Sequence, residues 1–157
     1  MKKLMLLAGL YCLQPALHAA AWVRTDVDFV APINATDRAK AHFNENYAEA
    51  EDAVWFALPD KTIYCIFHQG RKVNRVFYNS HGYWLYTLIG YPASGLHKDI
   101  KTLVQDNFKG YHITYVNEIR SDLDEPVYMI NIENEVYGKV IRVAGEDIDI
   151  KEDFEKE

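Results

Sequence analysis

Residues 63–77 read Ile63-Tyr64-Cys65-Ile66-Phe67-His68-Gln69-Gly70-Arg71-Lys72-Val73-Asn74-Arg75-Val76-Phe77, two apolar runs on either side of Gln69-Gly70. The pattern predicts a β-hairpin. Glycine accepts the backbone angles of a tight reversal, and each flanking run is too short and too rich in β-branched and aromatic residues for a helix. Working outward, strands are expected at 53–58, 62–68, 72–79 and 83–91. Pro59-Asp60, Gln69-Gly70 and Ser80-His81-Gly82 serve as the turns between them. Connections this short favour an antiparallel meander.

A helix is expected ahead of these strands, capped by Asn34 or Thr36, with Asp37 in its first turn and Ala39, Phe43 and Tyr47 near one face. Its end is expected near Ala50. After the fourth strand, Pro92, Ser94, Gly90 and Gly95 break the pattern. A second helix follows over about 94–108, started by Ser94, striped by Leu96, Ile100, Leu103, Val104 and Phe108 and closed by Gly110. Strands resume at 111–120, 126–134 and 136–144, with a short fourth including 147–150; the charged tail 151–157 is expected to fray. The second half thus repeats the plan of the first. Phe43, Tyr47 and Trp55 are echoed at one constant offset by Val104, Phe108 and Val116; the offset then drifts by a few residues, with 63–67 echoed by 128–132 and Gly82 by Gly145. The expected fold class is α+β, two similar helix-plus-antiparallel-sheet halves. A duplicated unit with no reactive cluster laid over either copy reads as a binding module more readily than as an enzyme.

Residues 1–21 form an address. Lys2 and Lys3 make a basic start, 4–13 a short apolar run, and Ala19, Ala20 and Ala21 a set of small residues for a signal peptidase acting before Trp22. The run falls short of the roughly 20 apolar residues a membrane span needs. Cys12 follows a bulky Tyr11, a poor match to a lipid-attachment site. A periplasmic or secreted protein is therefore expected. About 136 residues then remain, the size of one domain, 22–157, made of sub-repeats 34–91 and 94–150 behind an extended lead at 22–32. Losing Lys2 and Lys3 takes the formal charge from −6 to about −8. Such a chain repels phosphates, which argues against nucleic acid as a partner. With the leader gone only Cys65 is left, so no internal disulfide can form, and its apolar run marks it as a core residue rather than a nucleophile.

Catalytic signatures were sought and not found. His42, His68, His81, His97 and His112 show neither the helical spacing of a zinc protease nor that of a structural zinc site. Ser80, Ser94 and Ser121 sit in turn-like settings, with no nucleophile elbow and no phosphate loop. The acidic groups Asp122, Asp124, Glu125 and Glu146, Asp147, Asp149 lack the closing glutamate of a calcium loop and read as solvated surface. Asn34-Ala35-Thr36 spells a glycosylation sequon but reads as a helix cap. No enzyme, metal or cofactor is expected.

The order helix, Trp-bearing strand, hairpin, then Asn79-Ser80-His81-Gly82-Tyr83-Trp84-Leu85, a second helix and further strands resembles the PepSY-like, beta-lactamase-inhibitor-protein-like domains of exported Bacteroidetes proteins. The resemblance covers about 31–150. It implies helices on one face of an antiparallel sheet and an open opposite face. Many such domains open a helix with Leu-Pro and close it with Phe-Pro, whereas this chain has Ser94-Gly95-Leu96 and Phe108-Lys109-Gly110. The inhibitor in the family name describes a fold, and no beta-lactamase is implied as target.

The sheet supplies the candidate surface. If Cys65 and Phe67 face the helices, Tyr64, Ile66 and His68 face away, because strand side chains alternate. Tyr78, Trp84 and Tyr86 are expected to join them, giving Tyr64, His68, Tyr78, Trp84 and Tyr86 as partner-binding residues with a protein or peptide as the partner. Tyr and Trp combine large contact area with a polar tip. Because Phe77 and Tyr78, like Tyr83 and Trp84, are adjacent, a shift of one residue exchanges the faces. The competing readings are a small-molecule or calcium-binding envelope protein and an unrecognised hydrolase.

Overall fold

The computed structural model describes residues 32–122 and 125–156; the signal sequence and cleavage point expected from the sequence, and most of the expected extended lead, lie outside them. Helix α1 (Asp37–Asn46) precedes strands β1 (Glu51–Ala57), β2 (Ile63–Gln69), β3 (Lys72–Tyr78) and β4 (Trp84–Pro92). A 3-10 turn (Ala93–Gly95) leads to helix α2 (Lys98–Asn107) and strands β5 (His112–Arg120), β6 (Val127–Glu133), β7 (Tyr137–Ala144) and β8 (Asp147–Glu155). All eight strands form one antiparallel sheet in chain order, so the fold class is α+β.

Local chemistry sets the elements. Thr36 is extended and its Oγ1 accepts from Ala39 N–H at 3.3 Å, satisfying one donor that the helix leaves unpaired. Gln69 pairs with Lys72, leaving Gly70 at φ 56° to make the reversal that the hairpin motif demands. Gly82, at φ 82°, has a second reason to be glycine: a Cβ there would run into Thr36 Oγ1 and Ala39 N. The β3–β4 turn therefore packs directly on the start of α1.

Two apolar clusters hold the helices down. Ala39 and Phe43 of α1 pack with Ile63, Cys65, Phe67, Val76 and Tyr78, while Val104 of α2 packs with Ile89, Tyr91, Val116, Ile130, Ile132, Ile141 and Val143. One cross-strand row joins them: Phe67, Asn74, Ile89, Glu118, Tyr128, Val143 and Ile148 are successive partners from β2 to β8. Both clusters consequently lie on the same side of the sheet. Burying a side chain such as Phe67 or Ile130 contributes roughly 1.5–3 kcal/mol each.

Three boundaries differ from the sequence expectation. Helix α1 stops at Asn46, where Tyr47 leaves helical angles and its N–H donates to Phe43 O. Helix α2 begins only at Lys98, behind the 3-10 turn that holds Ser94, so Ser94 does not cap it; His97 occupies the cap without a side-chain bond. The tail does not fray at 151. Strand β8 runs to Glu155, held by register with β7, by the Lys139–Asp153 ion pair and by Phe154, whose ring covers Gly138 where a Cβ would not fit. Lys156 Nζ adds a bond to Asn134 O at 3.0 Å.

Candidate functional site

Strand alternation carries Tyr64, Ile66 and His68 to the side of the sheet opposite the two clusters, and the register then fixes their neighbours. Phe56, Tyr64, Phe77 and Tyr86 are successive cross-strand partners on β1 to β4. Their rings stack: centroids are 5.2 Å apart for Phe56–Tyr64, 5.5 Å for Tyr64–Phe77 and 4.5 Å for Phe77–Tyr86, with planes inclined by 23°, 20° and 20°. Strand spacing near 4.8 Å makes this possible, and each aromatic pair contributes about 0.5–1.5 kcal/mol beyond its buried area. The ring faces are turned toward one another, so ring edges and the tyrosine hydroxyls point outward. Tyr64, within the row, is 9% exposed, whereas Tyr86 at its end is 36% exposed beside Leu85 at 40%. Burial of its ring, then the nearby charge of Asp60, raises the Tyr86 hydroxyl above its ordinary pKa.

The neighbouring row on this side is Val54, Ile66, Arg75, Leu88, Ile119, Val127 and Ala144, again successive partners, from β1 to β7. Arg75 is the single charged member from β1 to β7, and Asp147 on β8 pairs with Ala144 at the far end of the row. Arg75 is half-buried and makes no hydrogen bond, ion pair or ring contact with any described residue. The next row holds His68, Val73, Gly90, Asn117, Met129, Arg142 and Asp149. There the Arg142 charge is answered by Asp149 at 3.3 Å. Tyr115 lays its hydroxyl across Gly90, where no Cβ could stand.

Two of the five sequence-derived site residues belong on the other side. Tyr78 is fully buried beneath α1, its hydroxyl 3.1 Å from His42 Nδ1, and Trp84 stacks on His42 while its Nε1 donates to Thr87 Oγ1 at 3.0 Å. The cause is register. The Gly70 turn puts Tyr78 opposite Ile63, and an irregularity at Phe77/Tyr78 inserts Leu85, which sets Tyr78 against Trp84 but Phe77 against Tyr86. Tyr64, His68 and Tyr86 stand on the side opposite the clusters. Phe56, Phe77 and Arg75 were not among the site residues expected from the sequence, although their parity with Tyr64 follows once the hairpin turn is fixed.

Polar groups on the helix side serve packing. Glu118, 5% exposed, accepts from Tyr91 Oη at 2.6 Å and Arg120 Nε at 2.5 Å; Tyr47 Oη and Thr87 Oγ1 are 2.8 Å apart. Burial, and then the Glu118 carboxylate, push the Tyr91 hydroxyl far up. Burial likewise pushes the Cys65 thiol up to about 12, which keeps it protonated. Among the described residues no three His, Cys, Asp or Glu side chains are placed to hold a metal. Two open depressions lie elsewhere: one where α1 meets β1 and the β2–β3 turn, the other where α2 meets β5 and the β6–β7 turn. Among the described residues, no helix is long and apolar enough to cross a membrane.

No family model and no curated protein matches the chain. Solved structures do. A DUF2874 family protein from Bacteroides ovatus superposes with a TM-score of 0.63 at 11% identity, covering 78% of this chain and 89% of its own. A BLIP-like protein from Bacteroides fragilis gives 0.63 at 9% identity over 78% and 87%. A Bacteroides eggerthii protein, described provisionally as periplasmic, gives 0.60 at 12% identity over 78% and 90%. The chain is similar to these in fold.

Proposed function

We propose that this chain is an exported, non-catalytic module of two similar halves that binds a protein or peptide through the sheet side opposite its helices. The observation that carries the reading is the stacked row Phe56, Tyr64, Phe77 and Tyr86, bordered by an apolar row on a side with no helix of the described residues against it. Large, rigid aromatic groups bury area with little loss of side-chain entropy, which is why they dominate protein interfaces. A tool for bond-making would instead bring a nucleophile, a base and a positioned donor together. Here the buried ionisable groups are tied to one another beneath the helices. The leader-like start at 1–21 and the fold shared with a protein described provisionally as periplasmic support export.

Crosslinking capture from the native envelope tests this directly, comparing the natural chain with Tyr86→Ala and with Tyr137→Ala, an exposed ring on β7 outside the aromatic row. Tyr86→Ala should abolish capture of the partner while the protein still folds cooperatively with a Tm lowered by a few degrees for the lost Phe77–Tyr86 stacking, and Tyr137→Ala should capture normally. Capture by Tyr86→Ala at the natural level would remove the reading.

A further inference from the structure

Building on that binding reading, we propose that the partner delivers an aspartate or glutamate side chain, flanked by apolar side chains, onto Arg75. The row to which Arg75 belongs is apolar from Val54 on β1 to Ala144 on β7 apart from this one guanidinium. Ile66 and Leu88 flank it across the strands, and Val73 and Phe77 flank it along β3 on the same side. Arg142 and Arg120, the other arginines whose side chains lie on the sheet, are each met by a carboxylate of this chain; Arg75 is met by none of the described residues.

A half-buried cation without a partner is unfavourable for the isolated fold, since part of its hydration is lost and nothing replaces it. Docking an apolar partner over it would raise that penalty steeply unless the partner brings a negative charge. A carboxylate answers the planar fork of guanidinium donors with two parallel hydrogen bonds, and the surrounding rings exclude water from the pair. The chemistry selects a side-chain carboxylate within a continuous chain. A chain terminus would place its end in the middle of the surface and leave one flank of the row uncovered. An acyl chain with a carboxylate head needs an enclosed cleft, whereas the two helices of the described residues pack on the other side of the sheet and do not close over this row.

The test is selection of displayed random dodecapeptides on the purified protein, followed by affinity measurement with synthetic, C-terminally amidated peptides against the natural chain, Arg75→Gln, Arg75→Leu and Tyr86→Ala. The expected result is enrichment of sequences with Asp or Glu between large apolar residues. Binding should fall roughly tenfold to a hundredfold in Arg75→Gln, and equally when the peptide acid becomes its amide; both changes together should be no worse than either. Arg75→Leu should melt no lower than the natural chain, which separates a recognition role from a structural one. Peptides that need Tyr86 but carry no acid and ignore Arg75→Gln would overturn this inference and leave the binding reading standing. Peptides indifferent to both positions, or no enrichment, would overturn both.

Discussion

The α1 half and the α2 half solve one packing problem with different side chains. Phe43 and Val104 anchor the two helices, and Tyr47 and Phe108 end them in the same way, each donating its backbone N–H to the residue four before it, at 2.8 and 2.9 Å. Beneath α1 the contacts are ring on ring: Phe43 meets Trp55 at 5.3 Å and Phe67 at 5.0 Å, and Trp55 meets Tyr78 at 5.6 Å. Beneath α2 the core is Ile and Val, with Tyr91 tied to Glu118. The opposite side differs in the same sense. Strands β1 to β4 stack four rings beside an unanswered Arg75, while β7 and β8 pair Arg142 with Asp149 and cover Gly138 with Phe154. The two ends of the sheet therefore carry unequal surfaces, and the chemistry proposed above for recognition is concentrated on strands β1 to β4.

The largest expected effects come from breaking each core in turn. Phe67→Ala removes a fully buried ring that touches Phe43 and Tyr47, and should destabilise by about 3–5 kcal/mol; Ile130→Ala, equally buried beneath α2, should cost about 2–5 kcal/mol. Urea unfolding followed by tryptophan fluorescence and by far-UV circular dichroism measures both. Trp55 and Trp84 lie in the α1 cluster, so with Trp22 replaced by Phe in every variant fluorescence reports that region while circular dichroism reports the whole sheet. Because the row from Phe67 to Ile148 runs through both halves, the two signals should move together in either variant. Separate transitions would show that the halves are independently folding units.

The contrast between the halves also explains what could be read in advance. Every strand was legible, because Gly70, Gly82 and Gly145 mark reversals between alternating runs, and all three take positive φ. Ser94 misled because a serine beside glycine looks like a cap; here the chain first makes a 3-10 turn in which Gly95 lies against the Tyr91 ring. The tail misled because a run of charges resembles a solvated end, whereas alternation put Asp153 opposite Lys139 and Phe154 opposite Gly138. Tyr78 and Trp84 could not be assigned a face from sequence, since the decision rests on one extra residue, Leu85, at an irregularity that leaves no local signature. Arg75 carries no local signature, because its lack of a partner among the described residues is a property of seven strands together.

A smaller effect should distinguish the halves by pH. Cys65 lies in the α1 cluster and burial lifts its thiol from 9.0 to about 12. A group whose pKa is raised on folding stabilises the protein fully below its unfolded value and loses that contribution as pH rises to the folded one. Between pH 8 and pH 10 this thiol alone should remove about 1 kcal/mol of stability. Urea titrations across that interval should show the loss in the natural chain and a flatter profile in Cys65→Ala. An equal loss in both would assign the alkaline sensitivity to other groups, among them the buried tyrosines Tyr47, Tyr78 and Tyr91, which are also raised by burial.

The finest difference lies at the helix starts, and it can be reduced by one substitution. Thr36 caps α1 through its hydroxyl, while His97 holds the same position on α2, in extended backbone, without a side-chain bond to the helix. His97 faces Asp99 at 3.5 Å, but both side chains are largely exposed, and ion pairs of that kind contribute little. His97→Ser would place a hydroxyl where the first-turn N–H groups of α2 can donate to it, and should stabilise by about 0.5–1 kcal/mol, visible as a higher Tm. Thr36→Ala should move α1 the other way by about 1 kcal/mol. If His97→Ser gives no gain, the 3-10 turn before α2 already satisfies its first donors, and the two halves differ in how they begin their helices as well as in what those helices cover.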